Sequence, residues 1–212
     1  MKSSKIDKDE LILMCQKEYK DNKAELKILR EVEKDYVADQ SLWWYTQESF
    51  LYRLMNKALR VQNIDLLFLF RFFMRDIRKQ LEQHRCSSSV RLYHDQLISN
   101  EELQTPKDSI GQLISVNSFL STSISRQLAL SFLELSTISD DLQRVLFEID
   151  ADPRLSGIKQ FANITSFSYF PGEDEVLMMS GSIFRLVNIH RDDGRVWIIQ
   201  MTLCDDNDHD LK

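Results

Sequence analysis

The stretch SFSYFPGEDEVLMMSGSIFRL, residues 166–186, places three consecutive acidic residues directly before an apolar run. The run from Val176 to Met179 has the continuous apolar character of a buried strand. Like charges repel one another, and a carboxylate beside a core is costly to desolvate unless the protein uses it. Two interpretations are open: a solvated acidic turn after Pro171-Gly172, or a functional pair of carboxylates beside a strand.

Side chains alternate between the two faces of a strand, so an extended backbone here places Glu173 and Glu175 on one face and Asp174 on the other. Two carboxylates on one face, about 6–7 Å apart, suit a division into a charge-stabilising group and a proton acceptor. Upstream, SFLSTS (residues 118–123) places the hydroxyls of Ser121 and Ser123 on one face in the same way. Ordinary turn chemistry at a strand end is the alternative for this serine-rich segment.

Composition restricts the class of protein. With 212 residues, 43% of them hydrophobic, the chain is long enough for one large or two small globular domains. A net charge of −6 argues against a nucleic-acid-binding surface, which needs clustered excess Lys and Arg. The histidines and the three cysteines show no metal-ligand spacing, so no metal is expected.

The sequence also indicates a location. The most apolar run, residues 66–74, is too short to span a bilayer and contains Arg71, so no membrane partner is expected. Acidic residues within the first ten positions argue against a secretory signal. Three widely spaced cysteines are typical of reduced thiols. The expected location is therefore the cytoplasm.

The N-terminal part has a helical pattern and contains neither Gly nor Pro as far as Gln83. The pattern predicts one helix over 9–38 with a narrow apolar stripe, a second in 41–60 capped by Thr46, and a third, apolar on most sides, over 63–83. These helices define a helical N-terminal part, residues 1–86.

After HRCSSS (residues 84–89) the period changes to that of strands. The pattern predicts strands at 90–99, 113–124 and 144–150, and a helix over 125–136 capped by Ser125. Residues 182–204 read as a hairpin that turns at Asp193-Gly194. The predicted fold class is α+β, with the helical part followed by a mostly antiparallel β-rich part, residues 87–212.

Three motifs in this order, LYHDQLIS, SFLSTSISRQLALSF and SYFPGEDEVL, resemble the arginine-specific mono-ADP-ribosyltransferases. These are the R-S-E group, which includes vertebrate ecto-enzymes and cholera-type toxins. The resemblance covers roughly residues 40–204. It implies a split β-sandwich whose cleft grips NAD as co-substrate, within residues 87–212, and a protein acceptor with an exposed arginine.

The resemblance also implies roles for individual residues. Ser121, the first serine of STS, positions the nicotinamide ribose and orders the catalytic acid. Glu175 matches the second acid of the family's Glu-x-Glu and stabilises the oxocarbenium-like centre as nicotinamide leaves. Glu173 matches the acid that selects arginine, and Tyr169 and Phe170 form the wall that recognises the acceptor. A hydrophobic plug at the base of the loop is the alternative role of these two aromatic residues.

The first motif departs from the family. Where the family has Tyr-Arg-Gly, this chain has Tyr93-His94-Asp95, and three accounts are open. His94 contacts the ribose hydroxyls, as a histidine does in the H-Y-E branch of the superfamily; or Arg91, on the opposite face of the strand, replaces the arginine through a register shift; or NAD binding is impaired. A negative Asp95 near the diphosphate is unfavourable unless it turns to solvent or pairs with Arg91. The expected NAD-binding set is Arg91, Tyr93, His94, Asp95, Gln96, Ser121, Thr122 and Ser123.

Three functions follow from these patterns. The first is an NAD-dependent glycosyltransferase that moves ADP-ribose onto arginine. The second is an NAD glycohydrolase, which performs the same bond cleavage with water as acceptor and depends less on Glu173. The third is a non-catalytic interaction module in which the altered Tyr-His-Asp motif has ended NAD turnover.

Overall fold

The computed structural model of the chain describes residues 2–47, 49–135, 139, 141–193 and 195–205. These residues form two compact units. One unit contains the N-terminal helices and the segment Ser166–Pro171, and the other contains the remaining described residues from His84 onward. No helix within the described ranges is long and apolar enough to cross a bilayer.

The helical unit is organised around its longest apolar helix. Phe70, Phe72, Phe73, Ile77 and Leu81 of this helix are all almost completely buried, as expected of a helix that is apolar on most sides, and three other helices pack against it. The helices are α1 Lys2–Glu18, α2 Lys23–Asp35, α3 Ser41–Thr46, α4 Phe50–Arg60 and α5 Ile64–Gln83. The predicted third helix corresponds to α5.

Two helix predictions in this unit are wrong. The single helix predicted over 9–38 is two helices, because the Asn22 side chain accepts a hydrogen bond from the Glu25 amide (3.2 Å) and so starts a new helix. Thr46 does not cap α4; it ends α3, and its hydroxyl donates to the Leu42 carbonyl at 3.0 Å.

The start of α4 is held by a carboxylate from α2. Glu25 is 8% exposed, accepts a hydrogen bond from the Phe50 amide at 3.3 Å and is paired with Arg53 in the first turn of α4. A negative charge at a helix N-terminus is favourable, and a buried donor left without its acceptor is costly.

We therefore expect Glu25→Ala to lower the free energy of unfolding by about 1–3 kcal/mol. Chemical denaturation measures this loss. Glu31→Ala is the matched control, because the pair that Glu31 forms with Lys27 is exposed, and such pairs contribute little. Equal losses in the two variants would contradict the assigned role of Glu25.

The second unit is a mixed eight-stranded sheet in the order β2-β7-β8-β4-β1-β3-β6-β5. Among the described strand pairs, only β4 and β8 run parallel. The strands are β1 Val90–Ser99, β2 Leu113–Val116, β3 Leu120–Ser123, β4 Leu142–Ala151, β5 Phe161–Asn163, β6 Glu175–Met178, β7 Ser182–Asp192 and β8 Val196–Cys204, with the helices α6 Asn100–Lys107 and α7 Arg126–Leu135. The expected α+β class is confirmed.

The predicted strand over 113–124 is two strands. β2 pairs with β7, whereas β3 pairs with β6 and β1, so the two lie in different parts of the sheet. The predicted hairpin is β7 and β8, which pair antiparallel; of its predicted turn, Gly194 lies outside the described residues. Ser125 caps α7 as expected, accepting from the Leu128 amide. Helix α6 was not predicted.

The sheet is split at its centre. β1 and β3 share a single residue pair, Tyr93 with Ser123. Beyond this pair the backbone ladder stops, and five strands lie on the β1 side and three on the β3 side. Both halves contribute to one apolar core, which includes Leu92 and Ile149 from one half and Val176 from the other. The unpaired stretch of β1 and β3 opens a cleft in an otherwise continuous sheet.

Candidate active site

A cavity of about 150 Å³ lies where β1 and β3 separate. This is smaller than the roughly 300–1,000 Å³ of drug-sized ligand sites, so its enclosed part suits one ring and not an entire dinucleotide. Its lining comes from β1, β3, α7, the turn Pro171–Glu173 and β6. The lining residues are Tyr93, His94, Asp95, Ser121, Thr122, Ser123, Ala129, Phe132, Glu173 and Glu175.

Glu175 and Ser121 meet in this cavity. The Ser121 hydroxyl donates a hydrogen bond to Oε1 of Glu175 at 2.6 Å, and Glu175 is only 5% exposed. The antiparallel register pairs Ser123 with Glu175, so Ser121 and Glu175 lie diagonally across two strands on the same face. A hydroxyl donor favours the charged form of a carboxylate and fixes its orientation.

Glu173 lines the same cavity, but the backbone that carries it is not the predicted strand. Residues Pro171–Glu173 form a 3₁₀ turn, and β6 begins only at Glu175. Asp174 has φ = 47°, a left-handed conformation that Asp tolerates better than most residues. The prediction of one extended backbone through both glutamates is therefore wrong, although both side chains line one cavity.

The other two hydroxyls of the STS segment hold the backbone around the glutamates. Ser123 donates to the Glu173 carbonyl at 3.0 Å and accepts from the Ser125 amide at 3.0 Å. Thr122 donates to the Val176 carbonyl at 2.6 Å. Ser123 thus fixes the turn that carries Glu173, and Thr122 ties β3 to β6.

His94 lies where the ladder between β1 and β3 stops. Its Nδ1 is 2.8 Å from the Ser121 carbonyl, and because a carbonyl only accepts, Nδ1 carries the proton. Burial lowers the pKa of His94, against smaller opposing effects of the Ser121 carbonyl, Asp95 and the Gln96 side chain. The neutral ring therefore has a lone pair on Nε2, which makes it an acceptor for a hydroxyl group.

Asp95 is half-buried beside His94 and lines the cavity. Burial raises the pKa of its carboxyl, partly offset by His94 and by the Asp95 backbone. Of the two ways in which Asp95 could be tolerated, a pair with Arg91 does not form, because Nε and a terminal nitrogen of the Arg91 guanidinium donate to Asp150, at 2.7 and 2.8 Å. Arg91 lines a different cavity.

Gln96 and the two recognition aromatics lie outside the cavity lining. The Gln96 side chain hydrogen-bonds His94 but does not itself line the cavity. Tyr169 and Phe170 belong to the helical unit. There the Tyr169 ring packs edge-on against Trp43 at 5.3 Å, and its amide donates to the Thr46 hydroxyl at 2.8 Å.

Sequence reasoning missed two lining residues, Ala129 and Phe132 of α7. They are three positions apart and therefore share a helix face. Because Ser125 caps α7 directly after the STS segment, the spacing of Ala129 and Phe132 in the sequence indicates that both face the same side of this helix, close to the serines. Phe147, whose ring centre is 5.8 Å from that of His94, was also not predicted to lie near the site.

Within the described ranges, no group of three or more His, Cys, Asp or Glu side chains is placed to hold a metal ion. The polar groups of the cavity are carboxylates, hydroxyls and one neutral imidazole. Such a set is suited to stabilising positive charge and to accepting protons.

Replacing Ser121 with alanine should slow reaction at Glu175 by about tenfold to a hundredfold, because a hydrogen bond to a charged group contributes roughly 1.5–3 kcal/mol. The measurement is the rate of nicotinamide release from NAD, the co-substrate that the sequence resemblance implies. Ser131→Ala on α7 is the control, since that hydroxyl donates to the Leu128 carbonyl. Equal rates in both variants would contradict the role of Ser121.

The family model described as NAD:arginine ADP-ribosyltransferase matches residues 3–208 of the sequence. No curated protein matches the sequence.

Solved structures of ADP-ribosyltransferases are similar to the chain. Vis toxin from Vibrio splendidus superimposes with a TM-score of 0.62 at 20% identity, over 82% of this chain and 76% of that one. The structure of Vis in complex with agmatine has a TM-score of 0.59 at 20% identity, over 93% of this chain and 86% of that one. HopU1 of Pseudomonas syringae pv. tomato has a TM-score of 0.65 at 12% identity, over 96% of this chain and 98% of that one. At these identities the similarity shows a shared fold.

Proposed function

This chain belongs to the NAD:arginine ADP-ribosyltransferase family, and from that membership we propose that it transfers ADP-ribose from NAD to an arginine side chain of a protein acceptor. The products are nicotinamide, the ADP-ribosylated arginine and a proton. Family members use NAD as co-substrate. The observation that carries the proposal is the convergence of Ser121, Glu173 and Glu175 on one cavity.

Glu175 is the group that lowers the barrier to bond cleavage. When the bond between the ribose anomeric carbon and the nicotinamide nitrogen breaks, its electron pair goes to nicotinamide, and positive charge develops on the ribose. A buried, oriented carboxylate stabilises that charge, as in glycoside cleavage. Ser121 supports this role because its hydroxyl holds Oε1 of Glu175 at 2.6 Å.

Glu173 is the group that recruits arginine. A guanidinium has a pKa above 12 and is a poor nucleophile until a carboxylate orients it and accepts a proton. The backbone of Glu173 is fixed by Ser123, and its side chain lines the same cavity as Glu175. The new bond forms between a guanidine nitrogen and the anomeric carbon, and Glu173 takes the proton that this nitrogen loses.

His94 is proposed to accept a hydrogen bond from a ribose hydroxyl through Nε2, because Nδ1 is occupied by the Ser121 carbonyl. That hydroxyl takes the place of the Gln96 side chain, which hydrogen-bonds the ring in this structure. Tyr93 and Asp95 flank His94 on β1. Thr122 and Ser123 act on NAD indirectly, through the backbone that they hold. Arg91 is a poor candidate for NAD, because its guanidinium is bound to Asp150.

Acceptor recognition is assigned to Tyr169 and Phe170. They precede Glu173 by only four and three residues, and Tyr169 is 42% exposed. Agmatine, a small guanidine, is bound in a structure of Vis, and we propose that a guanidine group is also the acceptor here.

We place the reaction in the cytoplasm. Cys15 and Cys86 are free thiols, which is usual in a reducing compartment.

The direct test is incubation of the protein with NAD labelled in its ADP-ribose part, with agmatine as acceptor. We expect a labelled agmatine adduct and an equal amount of nicotinamide. Nicotinamide with free ADP-ribose and no adduct would indicate an NAD glycohydrolase. No product from the wild-type protein, with Glu175→Gln indistinguishable from it, would contradict both and favour a non-catalytic module.

A further inference from the structure

One wall of the cavity combines aromatic rings with a carboxylate. Tyr93 and Asp95 alternate with His94 along β1 and so lie on the same face of the strand, the face on which Tyr93 packs against an apolar cluster that includes Ala129 of α7. Both residues line the cavity together with Phe132. Flat rings beside a carboxylate are suited to a flat, positively charged ligand.

The charge of this wall is not neutralised by a neighbouring cation. Among the described residues, neither Lys nor Arg lines the cavity. Arg91 is bound to Asp150. Arg126, at the start of α7, is bound to Glu148 at 2.9 Å and to Asp192 at 3.4 Å. The carboxylate of Asp95 therefore repels an anion such as a diphosphate and attracts a cation.

We propose that Asp95 determines the substrate class of this cavity by binding the positive charge of an N-substituted nicotinamide ring. The inference rests on the proposed function, in which NAD is the donor. The enclosed volume of about 150 Å³ suits one ring, and the nicotinamide ring of NAD is cationic until the glycosidic bond breaks. Nicotinamide nucleosides that lack the ADP half therefore belong to the same substrate class.

The position of the charge predicts a kinetic signature. Asp95 attracts the ring in the bound substrate, but the positive charge leaves the ring for the ribose as the bond breaks. An interaction stronger in the ground state than in the transition state improves binding and not the chemical step. Asp95→Asn should therefore raise both KM and kcat for NAD by up to about tenfold, so that kcat/KM stays within about threefold of wild type.

The test is calorimetric titration with two probes, the cation 1-methylnicotinamide and neutral nicotinamide. Wild type should bind the cation more tightly, and in Asp95→Asn the ratio of the two affinities should fall by about tenfold. Asp95→Glu should keep the ratio. Asp108→Asn is the control, because it removes the same charge at an exposed position at the end of α6.

An unchanged ratio in Asp95→Asn would overturn the proposal. Neutral nicotinamide serves as the internal reference, because a variant that binds it as wild type does has kept the cavity. Asp95→Gly is the second uncharged variant and should show the same fall. Neither titration needs turnover, so the two proposals fail separately. A protein that transfers to agmatine but whose cation preference is the same in wild type and Asp95→Asn refutes only this inference. A protein whose cation preference depends on Asp95 but that does not transfer refutes only the proposed transferase activity.

Discussion

Replacing Glu175 with glutamine lowers the rate of nicotinamide release from NAD by about a hundredfold to a thousandfold, the usual effect of removing a preorganised electrostatic group. The substitution keeps the size of the side chain and an oxygen that can accept the Ser121 hydroxyl. It removes only the negative charge that faces the developing positive charge on the ribose. Transfer and hydrolysis should both fall by this factor, because they share the bond cleavage.

The measurement for Glu175 is initial-rate release of nicotinamide, with and without agmatine. Glu101→Gln is the matched control, because Glu101 is exposed in the first turn of α6. Its rate should equal that of wild type. If Glu175→Gln kept a tenth or more of wild-type activity, the carboxylate would not be the stabilising group.

Glu173→Gln should separate the two acceptors. Transfer to agmatine falls by about a hundredfold, in line with the loss of a positioned proton acceptor. Release of nicotinamide into water changes by less than about threefold, because bond cleavage depends on Glu175. The substitution is expected to keep the turn, since Ser123 holds it through the backbone carbonyl of Glu173.

Asp174→Asn is the control for Glu173, as the same charge is removed one residue away. Asn tolerates the left-handed conformation that Asp174 adopts, φ = 47°, and Asp174 is exposed. The control should transfer ADP-ribose at the wild-type rate. Equal transfer by wild type and Glu173→Gln would mean that Glu173 does not select the acceptor.

Local sequence patterns predict the helices and strands whose conformation depends mainly on neighbouring residues in the chain. Helix α5 followed from its apolar composition, β1 and β4 from their strand pattern, and the start of α7 from Ser125. The meeting of Ser121 with Glu175 depends on pairing between strands that are more than fifty residues apart in sequence. Periodicity does not show such pairing, so only the family resemblance pointed to it.

The alternation of side chains along an assumed strand does not predict the backbone conformation between Glu173 and Glu175. Pro171-Gly172 favours a turn, and this turn extends through Glu173 to a positive φ at Asp174. An acidic residue tolerates both conformations, so its identity does not reveal which one is present. The predicted convergence of the side chains nonetheless corresponds to the geometry, through a turn that positions Glu173 and a strand that positions Glu175.

Long-range contacts account for two of the other differences, and a local helix cap accounts for the third. Tyr169 packs on Trp43, far away in sequence, and Arg91 binds the residue opposite it on β4. Asn22 ends the continuous apolar stripe of the first predicted helix by capping α2. Only the last of these has a local signal, because Asn is a frequent N-cap residue.

The central claim is that one cavity, which Ser121 and both glutamates line, takes the nicotinamide end of NAD. The most direct measurement is a crystal structure of the Glu175→Gln variant soaked with NAD. We expect the nicotinamide ring beside Asp95 and Phe132 and its ribose within hydrogen-bonding distance of residue 175 and His94. A dinucleotide bound elsewhere, or none in the cleft at millimolar NAD, would contradict the account.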